Sequence, residues 1–169
     1  MKRLRTFMTL CLVVMTLGVA MTSCEKEEPD GSTTDAPLPG SITVKMRNED
    51  NGETKIWFSS SYVRINKANN FQTGGNSGYH WSEEIQIASV GKVNGLGSIT
   101  TIPESGWIGQ VSAFVGHGYV VRWRTSNWDY NTESYVYTDY SYGRIFVHDE
   151  IVSTGGGVIG YTVSYIEGM

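Results

Sequence analysis

The sequence predicts an all-β domain, an antiparallel β-sandwich or small barrel, and three observations carry that expectation. Apolar side chains recur at every second position in several runs, Gly, Asn and Pro punctuate the runs, and no ten-residue window carries the apolar stripe of a helix. Ile42, Val44 and Met46 alternate with Thr43, Lys45 and Arg47. Asp50, Asn51 and Gly52 then read as a turn, because Asn and Gly tolerate positive φ. Residues 55–59, carrying Ile56, Trp57 and Phe58, are expected to return as the partner strand. Further short strands are expected over 62–65, 85–90 and 111–115, and residues 67–71 have the spacing of a single helical turn. In 119–124, Tyr119, Val121 and Trp123 share one face while Val120, Arg122 and Arg124 share the other. The clearest hairpin joins 144–152 to 158–166 through Gly155, Gly156 and Gly157. Its last strand puts Ile159, Tyr161, Val163 and Tyr165 on one face and Gly160, Thr162 and Ser164 on the other, as in a sheet with one buried and one wetter face.

The N-terminal end has a different character. Lys2, Arg3 and Arg5 precede a run over 7–20 that is apolar except for Thr9 and Thr16. This is the layout of a signal peptide, and it is too short to span a membrane. Met21-Thr22-Ser23-Cys24 resembles a bacterial lipobox, in which an apolar residue and two small ones precede a cysteine that becomes lipidated. The competing reading, a soluble secreted protein, leaves Cys24 as a lone thiol with no disulfide partner, since Cys11 lies in the removed segment. Glu25-Lys26-Glu27-Glu28 is similar to the export signal of surface-exposed lipoproteins in Bacteroides and its relatives. The expectation is an outer-membrane lipoprotein on the cell surface, held by a lipid anchor on Cys24, with a periplasm-facing protein as the alternative.

Three segments follow: a lipoprotein signal peptide (1–23), Cys24 with a flexible acidic linker (24–40), and a single β-rich domain (41–169). The linker is rich in Pro, Gly, Ser and Thr and nearly free of aliphatic side chains, so it offers nothing to bury. At that length it spans about 20–25 Å, which keeps the domain near the membrane. After residue 23 the chain has ten Lys and Arg against seventeen Asp and Glu, a net charge of −7. No basic patch for nucleic acid is present.

The segments GKVNGLGSITTIPESGW (91–107), GHGYVVR (116–122) and YGRIFVHDEIVSTGGGVIGYTVSY (142–165), with ANNF at 68–71, resemble an uncharacterised domain of Bacteroides-type lipoproteins. The resemblance implies an envelope location and brings no reaction or site residue. Read physically, the Gly and Pro residues of 91–107 mark tight turns, and Leu96, Ile99, Ile102 and Trp107 are expected to pin that loop to the core.

Motifs that carry chemistry are scarce. Gly155-Gly156-Gly157-Val158-Ile159-Gly160 matches G-x-G-x-x-G, but a strand rather than a helix follows, so a hairpin turn is expected and no dinucleotide site. His80, His117 and His148 lack ligand spacing, so no metal and no cofactor is expected. The acidic pairs Glu83-Glu84 and Asp149-Glu150 point to opposite strand faces and form no dyad. No catalytic residue is assigned.

One stretch stands apart. WRTSNWDYNTESYVYTDYSYG, 123–143, is dense in aromatic residues and has Val136 as its one aliphatic side chain. Tyr135 and Tyr137 fall on one strand face, and Tyr140 and Tyr142 share a face of the next extended piece. Such residues either build strands through cross-strand aromatic pairs or form a contact surface. The expected site has Trp123, Trp128, Tyr130, Tyr135 and Tyr137 as platforms for sugar rings and Arg124 and Asp129 as polar partners. The leading reading is a non-catalytic glycan-binding module. The second is a structural or adhesion protein that meets an outer-membrane protein partner, and the third is a small hydrolase.

Overall fold

The computed structural model describes residues 37–169. The expected signal segment 1–23, Cys24 and the expected linker up to residue 36 lie outside the described residues. The domain is mostly strand, with antiparallel sheets curled into a half-barrel.

The strands in chain order are β1 Ile42–Arg47, β2 Lys55–Phe58, β3 Ser61–Ile65, β4 Asn70–Gly74, β5 Ser77–Gly78, β6 Trp81–Lys92, β7 Gln110–Ser112, β8 His117–Asp129, β9 Ser134–Tyr137, β10 Ser141–Val152 and β11 Val158–Glu167. The larger sheet runs β1-β11-β10-β8-β6-β5, with β9 also paired to β8; the smaller runs β2-β3-β4-β7. The sheets meet where Ile87 and Ile108 exchange backbone hydrogen bonds at 2.9 and 3.1 Å, and again at the Asn48–Ile65 bridge.

Alternation delivers one face of each sheet to a shared core. The larger sheet contributes Met46, Ile85, Ile87, Tyr119, Val121, Trp123, Ile145, Val147, Tyr161 and Val163. The smaller contributes Ile56, Phe58, Val63, Ile65 and Phe71. The buried Tyr119 hydroxyl is satisfied, donating to Ser112 O at 2.8 Å and accepting from Phe114 N at 2.9 Å. Burial raises its pKa to about 12, as expected for a phenol that cannot be hydrated as an anion. The other face of the larger sheet carries a second, smaller cluster of Leu96, Ile99, Val120 and Phe146, with Leu38, Trp107 and Ile166 against it. Leu38 therefore ties the end of the expected linker to the domain.

The β10–β11 hairpin forms as the alternation predicts, and Gly155-Gly156-Gly157 is its turn, with Gly156 at φ +82°. Three other expectations are corrected. β2 is not the partner of β1: β1 pairs with β11 and β2 with β3. The residues around Asn51-Gly52 form a short 3-10 turn, Glu49–Asn51, that carries the chain from one sheet to the other. Nor do residues 67–71 form a helical turn. Asn66 Oδ1 accepts from Ala68 N and Asn70 N, both at 3.0 Å, and Asn69 adopts φ +58°, which closes a hairpin between β3 and β4. In the 91–107 loop, Leu96 and Ile99 are buried and Trp107 is partly covered, but Ile102 is exposed and pins nothing.

A carboxylate on the larger sheet bonds to the smaller one. Glu83 on β6 accepts from the hydroxyls of Ser59 (3.1 Å), Ser60 (2.7 Å) and Ser61 (2.6 Å) at the β2–β3 turn. Burial pushes its pKa up, yet the Ser61, Ser60 and Ser59 hydroxyls together outweigh that and hold it below the usual 4.5. A depressed folded pKa gives a contribution that is present above pH 4.5 and is lost as the pH falls through the folded value. Glu83→Gln is therefore expected to unfold at a lower temperature than wild type at neutral pH, with the two curves converging as acid is added below pH 4.5. A gap that stays constant through that titration contradicts the assignment.

Candidate functional site

The site grows from the far half of β8. Its core-side residues, Tyr119, Val121 and Trp123, are buried, so Val120, Arg122, Arg124, Ser126 and Trp128 occupy the outer face. β6 brings Gln86 opposite Arg122, Glu84 opposite Arg124 and Ser82 opposite Ser126. On the other side β9 sets Tyr137 opposite Ser126 and Tyr135 opposite Trp128, while β10 sets Tyr142 opposite Arg122. Directly opposed residues of an antiparallel pair share a face, so these side chains form one surface.

The join between β9 and β10 decides which tyrosines belong to it. From Ser126 back to Trp123 β8 advances three residues, while its partner chain advances four, from Tyr137 to Ser141. The extra residue is a bulge. Thr138 holds it, its N donating to Thr125 O at 2.9 Å and its Oγ1 accepting from Thr125 N at 3.0 Å. Without it, Tyr137 and Tyr140 would face opposite ways. With it, Tyr135, Tyr137, Tyr140 and Tyr142 all reach the outer face.

There they build a ladder of alternating rings and guanidinium groups. The Arg122 Cζ lies 4.3 Å from the Trp107 ring centroid and 4.3 Å from that of Tyr140. The Arg124 Cζ lies 4.6 Å from Tyr140 and 4.3 Å from Tyr137. Each such pair contributes about 0.5–1 kcal/mol where exposed and about 2 where desolvated. Both arginines are oriented from β6. Arg122 donates through Nε (2.9 Å) and Nη2 (2.6 Å) to Gln86 Oε1. Arg124 donates through Nε (2.8 Å) and Nη2 (2.7 Å) to Glu84 Oε2. The Glu84 carboxylate raises the Arg124 pKa further.

Beyond the ladder this face carries the paired hydroxyls of Ser82 and the buried Ser126, 2.8 Å apart, and then Trp128. Trp128 and Tyr135 meet edge to face, 5.1 Å apart at 76°, and make a corner rather than a flat shelf. Tyr130 is 68% exposed and touches His80, which in turn meets the 90%-exposed Tyr79. Tyr135 and Tyr137 are 47% and 53% exposed.

The expected site residues thus divide. Trp128, Tyr130, Tyr135 and Tyr137 lie together at the hairpin tip. Arg124 joins them through Tyr137, already paired with Glu84. Asp129 serves the turn, accepting from Asn131 N (2.8 Å) and Thr132 Oγ1 (3.1 Å), and the Asn131 N–H, then the Thr132 hydroxyl, lower its pKa. Trp123 is not a platform: it is buried in the core with its ring 5.1 Å from Phe58. Sequence reasoning missed Arg122, Gln86, Trp107 and Tyr140. The matched two-residue spacings of Arg122/Arg124 and Glu84/Gln86 were a usable signal, since strands bring such pairs into register. Among the described residues no three His, Cys, Asp or Glu side chains gather as metal ligands.

A family model described as a domain of unknown function, DUF5036, matches residues 43–168. It takes in all of β2 to β11 and β1 except Ile42, and hence the whole outer-face surface. No curated protein and no solved structure is significantly similar to the chain.

Proposed function

We propose, for a chain that belongs to the DUF5036 family of domains of unknown function, a non-catalytic binding module whose contact surface is the outer face of the β8–β9 hairpin, with polysaccharide as its ligand. The observation that carries this reading is the set of exposed rings at the tip, Tyr130, Tyr135 and Tyr137, beside the partly covered Trp128. These rings add little to the core, yet they are held in register by β8 and by one another. Flat aromatic faces suit the C–H side of sugar rings, and the Ser82 hydroxyl and the ladder arginines can hydrogen-bond to hydroxyl groups. Retardation of the purified protein on gels containing different polysaccharides tests the reading. Tyr135→Ala is expected to weaken binding about tenfold or more with little change in thermal stability, because it removes one wall of the corner. Equal mobility on every polysaccharide would sink the proposal.

A second reading, contact with a partner protein, draws on the opposite face of the same tip. Trp81 and Val136 both sit level with Asn127 and are 36% and 53% exposed, past the point where the β2–β3 turn covers the sheet at Glu83. Cross-linking from Val136 in intact cells to a single protein, unaffected by added polysaccharide, would favour it.

The location we propose is the outer surface of the outer membrane, anchored through Cys24. Its support is the Met21-Thr22-Ser23-Cys24 pattern and the Glu25-Lys26-Glu27-Glu28 run. Incorporation of labelled palmitate that Cys24→Ser abolishes tests the anchor. Digestion by protease added to intact cells separates the surface from the periplasm.

A further inference from the structure

The ladder contains a cation without a counter-charge. Arg64 is paired with Glu49 and Glu53, and Arg124 with Glu84, at 2.7–2.9 Å. Arg122 is held instead by the neutral Gln86, and no acid lies within ion-pair distance of it among the described residues. Trp107 and Tyr140 both pack against it, each ring centroid 4.3 Å from its Cζ, so its charge is partly shielded from water. Gln86 occupies the Nε–Nη2 side. Among the described residues Nη1 has no protein acceptor, and it is not among the buried unpartnered atoms, which are His117 Nδ1 and His148 Nε2. Nη1 is therefore unpartnered and not fully buried, in a side chain that is itself partly exposed. A guanidinium held at one edge by Gln86 and stacked against two rings is preorganised for an anion that presents two oxygens to its other edge.

We propose that Arg122 is an anion subsite on this surface and that the polysaccharide bound there is acidic, carrying a uronate carboxylate or a sulfate ester. This rests on the polysaccharide reading above. Arg124 stands two residues away along β8, about 7 Å at roughly 3.4 Å per residue. Its charge is already offset by Glu84, so one acidic group is recognised at Arg122 and neighbouring hydroxyls are met by the rest of the face. Tyr140, shared by both arginines, fixes the spacing between the two.

The test compares affinities of the purified protein for polygalacturonate, dextran sulfate and uncharged dextran, at low and at physiological salt. Wild type is expected to prefer an acidic polymer over the neutral one by about tenfold or more, with the preference shrinking as salt rises. Preference for polygalacturonate identifies the carboxylate and preference for dextran sulfate the sulfate. Arg122→Gln is expected to bring the acidic-to-neutral ratio close to one. Arg122→Lys keeps the charge but loses the fork, and is expected to retain an intermediate ratio. Thermal melts of both variants establish that the ladder's loss has not unfolded the domain. A wild type that binds dextran as well as the acidic polymers overturns the anion subsite and leaves the polysaccharide reading standing. Binding to none of the three, nor to any other polysaccharide, overturns both. An Arg122→Gln ratio equal to that of wild type also overturns the subsite.

Discussion

Replacing Gly160 with alanine is expected to detach the end of β1 from the sheet and to destabilise the domain by about 3 kcal/mol or more. Gly160 lies opposite Arg47 in the β1–β11 pair. A Cβ there would fall 2.0 Å from Met46 O and 2.9 Å from Arg47 Cα, with φ at +155°. The obstacle is backbone, so no rotamer change relieves it. β1 must move, and Met46 and Asn48 move with it. Met46 is a fully buried core residue. Asn48 is the buried corner post: its N donates to Ile159 O at 2.9 Å, its Nδ2 to Asn69 Oδ1 at 3.0 Å, and its Oδ1 accepts from Asn51 Nδ2 at 2.7 Å. Losing that corner opens the Asn48–Ile65 bridge between the sheets. Against a total stability of about 5–15 kcal/mol the cost is large. Gly156→Ala is the control, since its φ is +82° but nothing lies within 4 Å of a Cβ there. It should cost about 1–2 kcal/mol from backbone strain alone. Denaturant unfolding measures both, and hydrogen exchange should show the lost protection at residues 46–48. Equal costs for the two variants would contradict the close-approach argument.

Phe58→Ala is expected to cost about 3–5 kcal/mol. Phe58 is fully buried and holds the smaller sheet against the larger one. Its ring lies 5.1 Å from Trp123 and 6.0 Å from Tyr165, and its Cε1 occupies the space over Gly143, 2.4 Å from where a Cβ would stand. Truncation therefore leaves a void walled by two large rings and a strand backbone, none free to collapse into it. The aromatic pairs add about 0.5–1.5 kcal/mol of their own to the loss. Trp57, its neighbour on β2, points outward and is half-exposed. Trp57→Ala should cost under about 1 kcal/mol. The ratio of the two denaturation midpoints reads the alternation of β2 directly. Trp123 fluorescence should also shift in Phe58→Ala, because the ring that shields it is gone.

The strands that the sequence announces are those whose alternation faces one deep core. β8, β10 and β11 show it over many residues, and all three sit inside the larger sheet. β4, Asn-Phe-Gln-Thr-Gly, hides because its one buried side chain, Phe71, gives no period. The failed β1–β2 hairpin has a different cause. Asn51-Gly52 permits a turn but does not say which edges it joins, and β1 finds β11 at the far end of the chain. Of the candidate site, the cluster of aromatic residues was legible and the placement of Trp123 was not. Trp123 has the same alternation as Tyr119 and Val121, which was the signal that it belongs to the core.

Composition and period by themselves determined an all-β antiparallel domain, the β10–β11 hairpin and a stretch over 123–143 with more rings than a core needs. Those properties are local, set by side-chain size and by which φ values Gly and Asn permit. The tertiary structure alone decided that four of its tyrosines face one way. Tyr135 and Tyr137 differ in parity from Tyr140 and Tyr142, so a regular strand would split them between the two faces. The one-residue bulge beside Thr125 and Thr138 exists because β9 and β10 both pair with the same long β8. Pairing across the chain, which no local pattern encodes, turns scattered rings into the Trp107–Arg122–Tyr140–Arg124–Tyr137 ladder.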